Sequence, residues 1–189
     1  MTAIAALVHN GYVYMGGDSA TSFGTRIALD PKGKVFKAST GLIMGLSGYS
    51  RVADVVRYGF TPPALTEGQA LDAYMRFTFA QALRDFLKEH THTSTKDGYE
   101  NTGLWGILGW RGQLWELSCD LGITQSLDPY MATGSGGDLA LAVLHVTPEL
   151  EPRDRIDRAL RAAEHYDAGV RGPFTLLTDA PEPAAESSN

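Results

Sequence analysis

Residues 2–18 read Thr-Ala-Ile-Ala-Ala-Leu-Val-His-Asn-Gly-Tyr-Val-Tyr-Met-Gly-Gly-Asp, and this stretch decides the fold class. Two apolar runs, Thr2 to Val8 and Tyr12 to Gly17, flank His9-Asn10-Gly11. Asn-Gly between apolar runs is the strongest short signal for a β-hairpin, because the favoured two-residue turn needs positive φ at both positions. A turn there folds the second strand back along the first and brings Gly17 and Asp18 near the register of Thr2. The chain thus opens on a hairpin whose open end gathers a hydroxyl and a carboxylate.

Further short segments follow at Thr25 to Leu29, Lys34 to Ala38 and Gly41 to Ser47, separated by Asp30-Pro31-Lys32-Gly33 and Ser39-Thr40. Gly, Pro and Asp in those gaps read as turns, so one meander is predicted over the first 48 residues. Ser50 to Tyr58 reads as a short helix, broken by Thr61-Pro62-Pro63. Thr66-Glu67-Gly68-Gln69 has the form of a capping box. Leu71, Met75, Phe79, Ala82 and Phe86 then recur at helical spacing and predict an amphipathic helix to His90. A polar loop is expected over Thr91 to Thr102, then strands at Gly103 to Trp110 and Gln113 to Asp120 joined through Arg111-Gly112. After a loop from Asp120, the order is a strand at Tyr130 to Thr133, helices at Gly136 to Val146 and Arg153 to Tyr166, and a closing strand at Phe174 to Thr178. Strands, two helices, strands and two helices predict an α+β protein with sheets and helices in segregated layers. We read residues 1–179 as one domain and residues 180–189 (Ala-Pro-Glu-Pro-Ala-Ala-Glu-Ser-Ser-Asn) as a disordered tail.

With 189 residues the chain has the size of one ordinary domain and needs no covalent staple to bury a core. Sixteen Lys and Arg against twenty-two Asp and Glu give a net charge of −6, which argues against nucleic-acid or anionic-membrane binding. The single cysteine, Cys119, excludes an internal disulfide and reads as a core residue. No apolar run is long enough to span a membrane, and Met1 to Val8 lacks a basic leader, so a cytoplasmic protein is expected.

Thr2 directly follows the initiator methionine, and loss of Met1 would leave a threonine whose hydroxyl is a nucleophile and whose α-amine is a base. By itself a threonine at this position means little. Asp18 comes sixteen residues later, and Lys34, thirty-two residues after Thr2, could pair with it. A surface salt bridge is the plainer reading of that pair. Gly48 ends the Leu42-to-Ser47 strand and is read as beginning a helix, so its N–H could face an anion.

Five segments in order, Thr2-Ala3-Ile4-Ala5, Gly17-Asp18-Ser19-Ala20-Thr21, Lys34-Val35-Phe36-Lys37, Gly45-Leu46-Ser47-Gly48 and Gly134-Ser135-Gly136-Gly137, carry a resemblance to a known family. The chain resembles the proteasome β-subunits and the bacterial HslV peptidase, which are N-terminal-nucleophile hydrolases. The likeness runs from Thr2 to about Thr178. It implies a four-layer αββα sandwich and threonine-type endopeptidase activity inside stacked homo-oligomeric rings, on peptide or unfolded-protein substrates delivered by an AAA+ unfoldase. It implies Thr2 as the nucleophile once Met1 is removed, Lys34 against its hydroxyl, Asp18 holding the lysine, and the Gly48 N–H as oxyanion donor. Ser135 would orient the threonine amine. Asp167 matches the first position of the family's Asp-x-x-Ser segment, with Val170 in place of the serine. Thr21, Lys32, Leu46 and Ser50 would line the pocket for the residue preceding the cut. Leu46 favours an apolar side chain there, and Lys32 an acidic one. No cofactor is required, although the backbone carbonyls of Glu164, Asp167 and Val170 have the spacing that holds a sodium ion in HslV. Two rival readings are a noncatalytic ring-forming subunit that retains Met1, and an amidase acting on small amides.

Other features carry less. His90-Thr91-His92 reads as a solvated helix end rather than a metal pair. The Gly134-to-Gly137 run lacks the strand-loop-lysine context of a phosphate loop. Trp105, Trp110 and Trp115 read as core or subunit interface.

Overall fold

In a computed structural model, which describes residues 1–90, 94–96 and 98–181, four layers stack in the order helices, sheet, sheet, helices. The opening hairpin forms as its sequence predicts. Strand β1 (Ile4–His9) pairs antiparallel with β2 (Tyr12–Gly17), Ile4 opposite Gly17, through a turn with φ of 51° at Asn10 and 79° at Gly11.

The remaining early strands do not continue as one meander. β3 (Ala20–Phe23) and β4 (Arg26–Leu29) form a separate two-stranded ribbon. β5 (Val35–Lys37) and β6 (Ile43–Gly48) join the second sheet. The physical reason is that both edges of the β1–β2 hairpin are taken by later strands. Strand Tyr130–Thr133 pairs with the free edge of β1 and strand Thr175–Thr178 with the free edge of β2, so neither edge is left for the strands that follow β2 in the chain.

Helix α1 (Ser50–Gly59) leads to a longer helical run composed of α2 (Leu71–Ala73), a π-helical stretch Tyr74–Phe79 and α3 (Ala80–His90). The run starts after the capping-box sequence: Ala70 is the N-cap with no side-chain cap, and Gln69 folds back so that its side-chain oxygen accepts from the Thr66 N–H at 3.4 Å. The wider π turn aligns Tyr74 with Phe79 five residues on. The buried stripe therefore runs Met75, Phe79, Leu83 and Leu87, while Ala82 and Phe86 are only half-buried.

Within the segment expected to be a loop, β7 (Ser94–Lys96) and β8 (Tyr99–Asn101) form a second small ribbon, and residues 91–93 lie outside the described residues. β9 (Leu104–Trp110) and β10 (Gln113–Leu117) follow as read, then a short unforeseen strand β11 (Ile123–Gln125). β12 (Tyr130–Thr133), α4 (Gly137–Val146), α5 (Pro152–Tyr166) and β13 (Thr175–Thr178) complete the chain. Residues 182–189, most of the expected tail, lie outside the described residues.

One sheet has the order β12-β1-β2-β13 and the other β11-β10-β9-β6-β5. Between them lie Ile4, Ala6, Val13, Met15, Val35, Ile43, Ile107 and Leu114. The outer face of the first sheet packs Ala3, Ala5 and Leu7 against Ala140, Leu144, Ile156, Ala159, Leu160 and Ala163 of α4 and α5. The outer face of the second packs Leu42, Met44 and Leu46 against α1 and the π-interrupted helix, with Trp110 and Trp115 inside this core. Trp105 is exposed, and Cys119 is half-buried rather than a core residue. Among the described residues no helix is long and apolar enough to cross a membrane.

Candidate active site

Thr2 lies just ahead of β1, at the open end of the hairpin, and its exposure is 6%. Its backbone is fixed from two sides. Its N–H donates to Ser135 Oγ at 3.1 Å, and its carbonyl accepts from the Gly136 N–H at 3.0 Å. Gly134, with φ of 94°, runs so close beneath it that a Cβ would press on the Thr2 Cβ at 2.9 Å. A glycine is required there by both conformation and space.

Asp18 follows β2 and is fully buried. Oδ1 accepts from the Ala3 N–H at 3.0 Å and from Lys34 Nζ at 2.7 Å. Oδ2 accepts from the Ala20 N–H at 3.0 Å and the Arg171 N–H at 3.4 Å. The carboxylate is thus satisfied on both oxygens and holds the lysine that precedes β5. Burial is the strongest influence on the Lys34 ammonium and lowers its pKa below the ordinary lysine value, with Asp18 and then Asp167 pulling the other way.

The Met1 carbonyl oxygen accepts from Thr2 Oγ1 at 2.6 Å and from Lys34 Nζ at 2.8 Å. A hydroxyl and a largely buried, carboxylate-held ammonium thus converge on one peptide carbonyl. The Asp18–Lys34 contact is therefore no surface salt bridge.

Behind Thr2 stands Asp167, the C-cap residue of α5. Its carboxylate accepts from the Gly169 N–H at 2.8 Å, while the nearby Ser135 hydroxyl donates to the Thr2 carbonyl at 3.4 Å. Burial alone would raise this carboxyl. Ser135, Gly169, the chain's amino terminus and Arg171 outweigh burial and hold it below the usual carboxylate range. Val170, in the position of the family's serine, is fully buried against Ala3 and Ala163 as a packing residue.

A cleft of about 460 Å³ opens in front of Thr2, and Thr21, Leu46, Gly48 and Ser50 all line it, as does Lys34. Gly48 ends β6 rather than starting a helix, with Tyr49 as the N-cap of α1. Its φ is 107°, and a Cβ would run into the Gly103 carbonyl and to within 3.1 Å of the Trp105 ring. The need for glycine comes from the Gly103-to-Trp105 segment alongside. Farther along the cleft Lys32 is held between Asp54 at 2.6 Å and Asp30 at 2.9 Å. Arg57 donates to the carbonyls of Lys32, Gly33 and Val35 at 2.7, 3.0 and 3.1 Å. Asp30, Asp54 and Arg57 were not singled out by the sequence: ordinary surface spacing gives no signal of a shared cleft.

The carbonyls of Glu164, Asp167 and Val170 do converge, but the group at their focus is Arg171. Its Nη1 donates to them at 3.1, 3.2 and 2.6 Å. A guanidinium nitrogen at those distances leaves no room for the sodium ion expected there, so the three carbonyls do not fit that ion. Among the described residues no His, Cys, Asp and Glu group converges as a metal set, and His90 stacks on Phe86 instead.

No protein-family model matches this chain, and no curated protein matches it. Solved structures do. BPH of Thiobacillus denitrificans in complex with epoxomicin shares 17% identity at a TM-score of 0.77, over 96% of this chain and 100% of that one. BPH of the same organism alone gives 16% and 0.76, over 94% and 97%. Eukaryotic HslV from Trypanosoma brucei gives 16% and 0.67, over 94% and 98%. The chain therefore has the HslV-type, proteasome-subunit-like αββα fold across nearly its whole length.

Proposed function

We propose that this chain is an N-terminal threonine endopeptidase, with Thr2 as nucleophile after removal of Met1. The observation that carries the reading is the convergence of Thr2 Oγ1 and Lys34 Nζ on one peptide carbonyl, with fully buried Asp18 behind the lysine. With Met1 gone, the Thr2 α-amine is freed next to its own hydroxyl. Such an amine has a pKa of about 7.7–8.0, so part of it is neutral near pH 7. It takes the hydroxyl proton as Oγ1 bonds to the substrate carbonyl carbon. The Lys34 cation favours the developing alkoxide electrostatically, and the Gly48 N–H is the donor for the tetrahedral oxyanion. Collapse breaks the C–N bond as the leaving amine regains a proton. Water activated by the same amine then hydrolyses the ester on Thr2.

In this reading the cleft takes an apolar rather than an acidic residue before the cut. Lys32 is already engaged by two tethered carboxylates, so an acidic substrate side chain would have to displace groups present at high effective concentration. Leu46, Ala53 and Phe36 supply apolar wall. Phe23, Ile27 and Leu29 leave apolar side chains exposed on the β3–β4 ribbon, which supports assembly into stacked homo-oligomeric rings that enclose the site. In this reading the rings are cytoplasmic and supplied by an AAA+ unfoldase.

A second reading is favoured by Met1 itself, whose side chain packs against Gly169 and whose carbonyl occupies Lys34. Retained, it would make the chain a noncatalytic subunit. The test is hydrolysis of fluorogenic peptides ending in Leu, Glu or Arg by the purified protein and by Thr2→Ala. The proposal expects cleavage after Leu that Thr2→Ala abolishes. Equal activity in the variant overturns it.

A further inference from the structure

We propose that Arg171 is a built-in replacement for a bound metal ion and a positioning residue for the Thr2 amine. α5 ends at Tyr166: the Ala163 carbonyl still accepts from the Asp167 N–H at 2.8 Å, while the Glu164 carbonyl lies past the last such bond, at the negative end of the helix dipole. The turn beyond the helix directs the carbonyls of Asp167 and Val170 to the same point. The Asp167 carbonyl also accepts from the Val170 N–H at 3.1 Å, but three carbonyl oxygens facing one point still favour a cation among them. The guanidinium supplies that charge permanently and in fixed geometry.

The same residue is fastened to the nucleophile's support. The Arg171 N–H donates to Asp18 Oδ2 at 3.4 Å, and its carbonyl accepts from the Ser19 N–H at 3.0 Å. The turn that the guanidinium closes also seats Val170 against Gly136, whose N–H donates to the Thr2 carbonyl beside Ser135, the acceptor of the Thr2 N–H. Removing the guanidinium therefore loosens the Asp167-to-Val170 turn that packs behind Gly136 and Thr2. It also leaves three carbonyls that a small cation from solution can fill.

The test uses the full-length chain and compares sodium chloride with choline chloride at equal ionic strength, with millimolar guanidinium chloride as a third condition. Two quantities are read: the thermal midpoint, and the rate of adduct formation with a peptide epoxyketone. The wild type is expected to show the same midpoint in sodium and choline. Arg171→Ala is expected to melt lower in choline, to recover several degrees with sodium or guanidinium, and to regain a tenfold or greater loss of adduct rate under the same conditions. Arg171→Lys, which keeps the charge without the fork, should fall between them. A wild-type midpoint that rises in sodium alone overturns the inference, as does a variant whose loss no cation repairs. The kinetic arm rests on Thr2 as nucleophile and the midpoints do not. Midpoints of wild type and Arg171→Ala that behave as expected, in chains that have lost Met1 and form no adduct, refute the nucleophile and leave Arg171 supported.

Discussion

Asp18→Asn is the most informative single substitution for stability. The carboxylate accepts two donors on each oxygen: Ala3 N–H and Lys34 Nζ on Oδ1, Ala20 N–H and Arg171 N–H on Oδ2. An asparagine amide has one acceptor oxygen and one donor nitrogen, so either flip turns its NH2 towards two donors. Two hydrogen bonds to a charged acceptor are lost, each worth about 1.5–3 kcal/mol. Lys34 is also left without its counter-charge, and its side chain is only 15% exposed. Breaking one partner of a buried pair costs about 3–5 kcal/mol. The two routes overlap, and we take ~3–5 kcal/mol as the expected loss. For a chain of this length each kcal/mol lowers Tm by about 2–4 °C, so a fall of ~6–20 °C is expected in differential scanning calorimetry. The double variant Asp18→Asn/Lys34→Met should regain part of it, because no buried charge then lacks a partner. A fall below about 2 °C in the single variant would show that the pair is solvated and refute the reasoning.

Three further outcomes are expected. Lys34→Ala should retain the fold by circular dichroism but lose more than about tenfold in peptide hydrolysis, ~1.4 kcal/mol of barrier; a smaller loss would make the lysine structural. Gly48→Ala places a methyl group against the Gly103 carbonyl at a φ that disfavours side chains, so hydrolysis should be lost along with several degrees of Tm. Asp167 has a depressed carboxyl pKa, so its contribution to stability is complete above the ordinary aspartate value near 4 and is lost as pH falls through the lower folded value. The Tm difference between wild type and Asp167→Asn should hold steady from pH 6 to 8 and shrink below about pH 4. A difference that grows on acidification would contradict this assignment.

What the sequence shows depends on whether a contact is local or made by tertiary stacking. The Asn10-Gly11 hairpin was legible because turn chemistry alone sets its register, and that register places Asp18 beside Ala3. The approach of Lys34 requires the second sheet to stack on the first, so spacing could raise it only as a possible pair, and the family resemblance supplied its place. β3 and β11 escaped notice because they are four and three residues long and half polar. The helical stripe shifted from the expected residues because a π turn inserts an extra residue per turn, which no 3.6-residue template anticipates. Arg171 was missed because it acts through its neighbours' carbonyls. The one signal was a cation shortly after the last turn of a helix, a common and unspecific arrangement.

The central claim is that Thr2 becomes a nucleophile with a free amine. An intact mass of the purified protein, before and after exposure to a peptide epoxyketone, tests it most directly, because that reagent closes a ring with both the hydroxyl and the amine of an N-terminal threonine. Loss of Met1 together with one adduct per chain, absent in Thr2→Ala, is the predicted result. A chain that has lost Met1 and still forms no adduct would contradict the account.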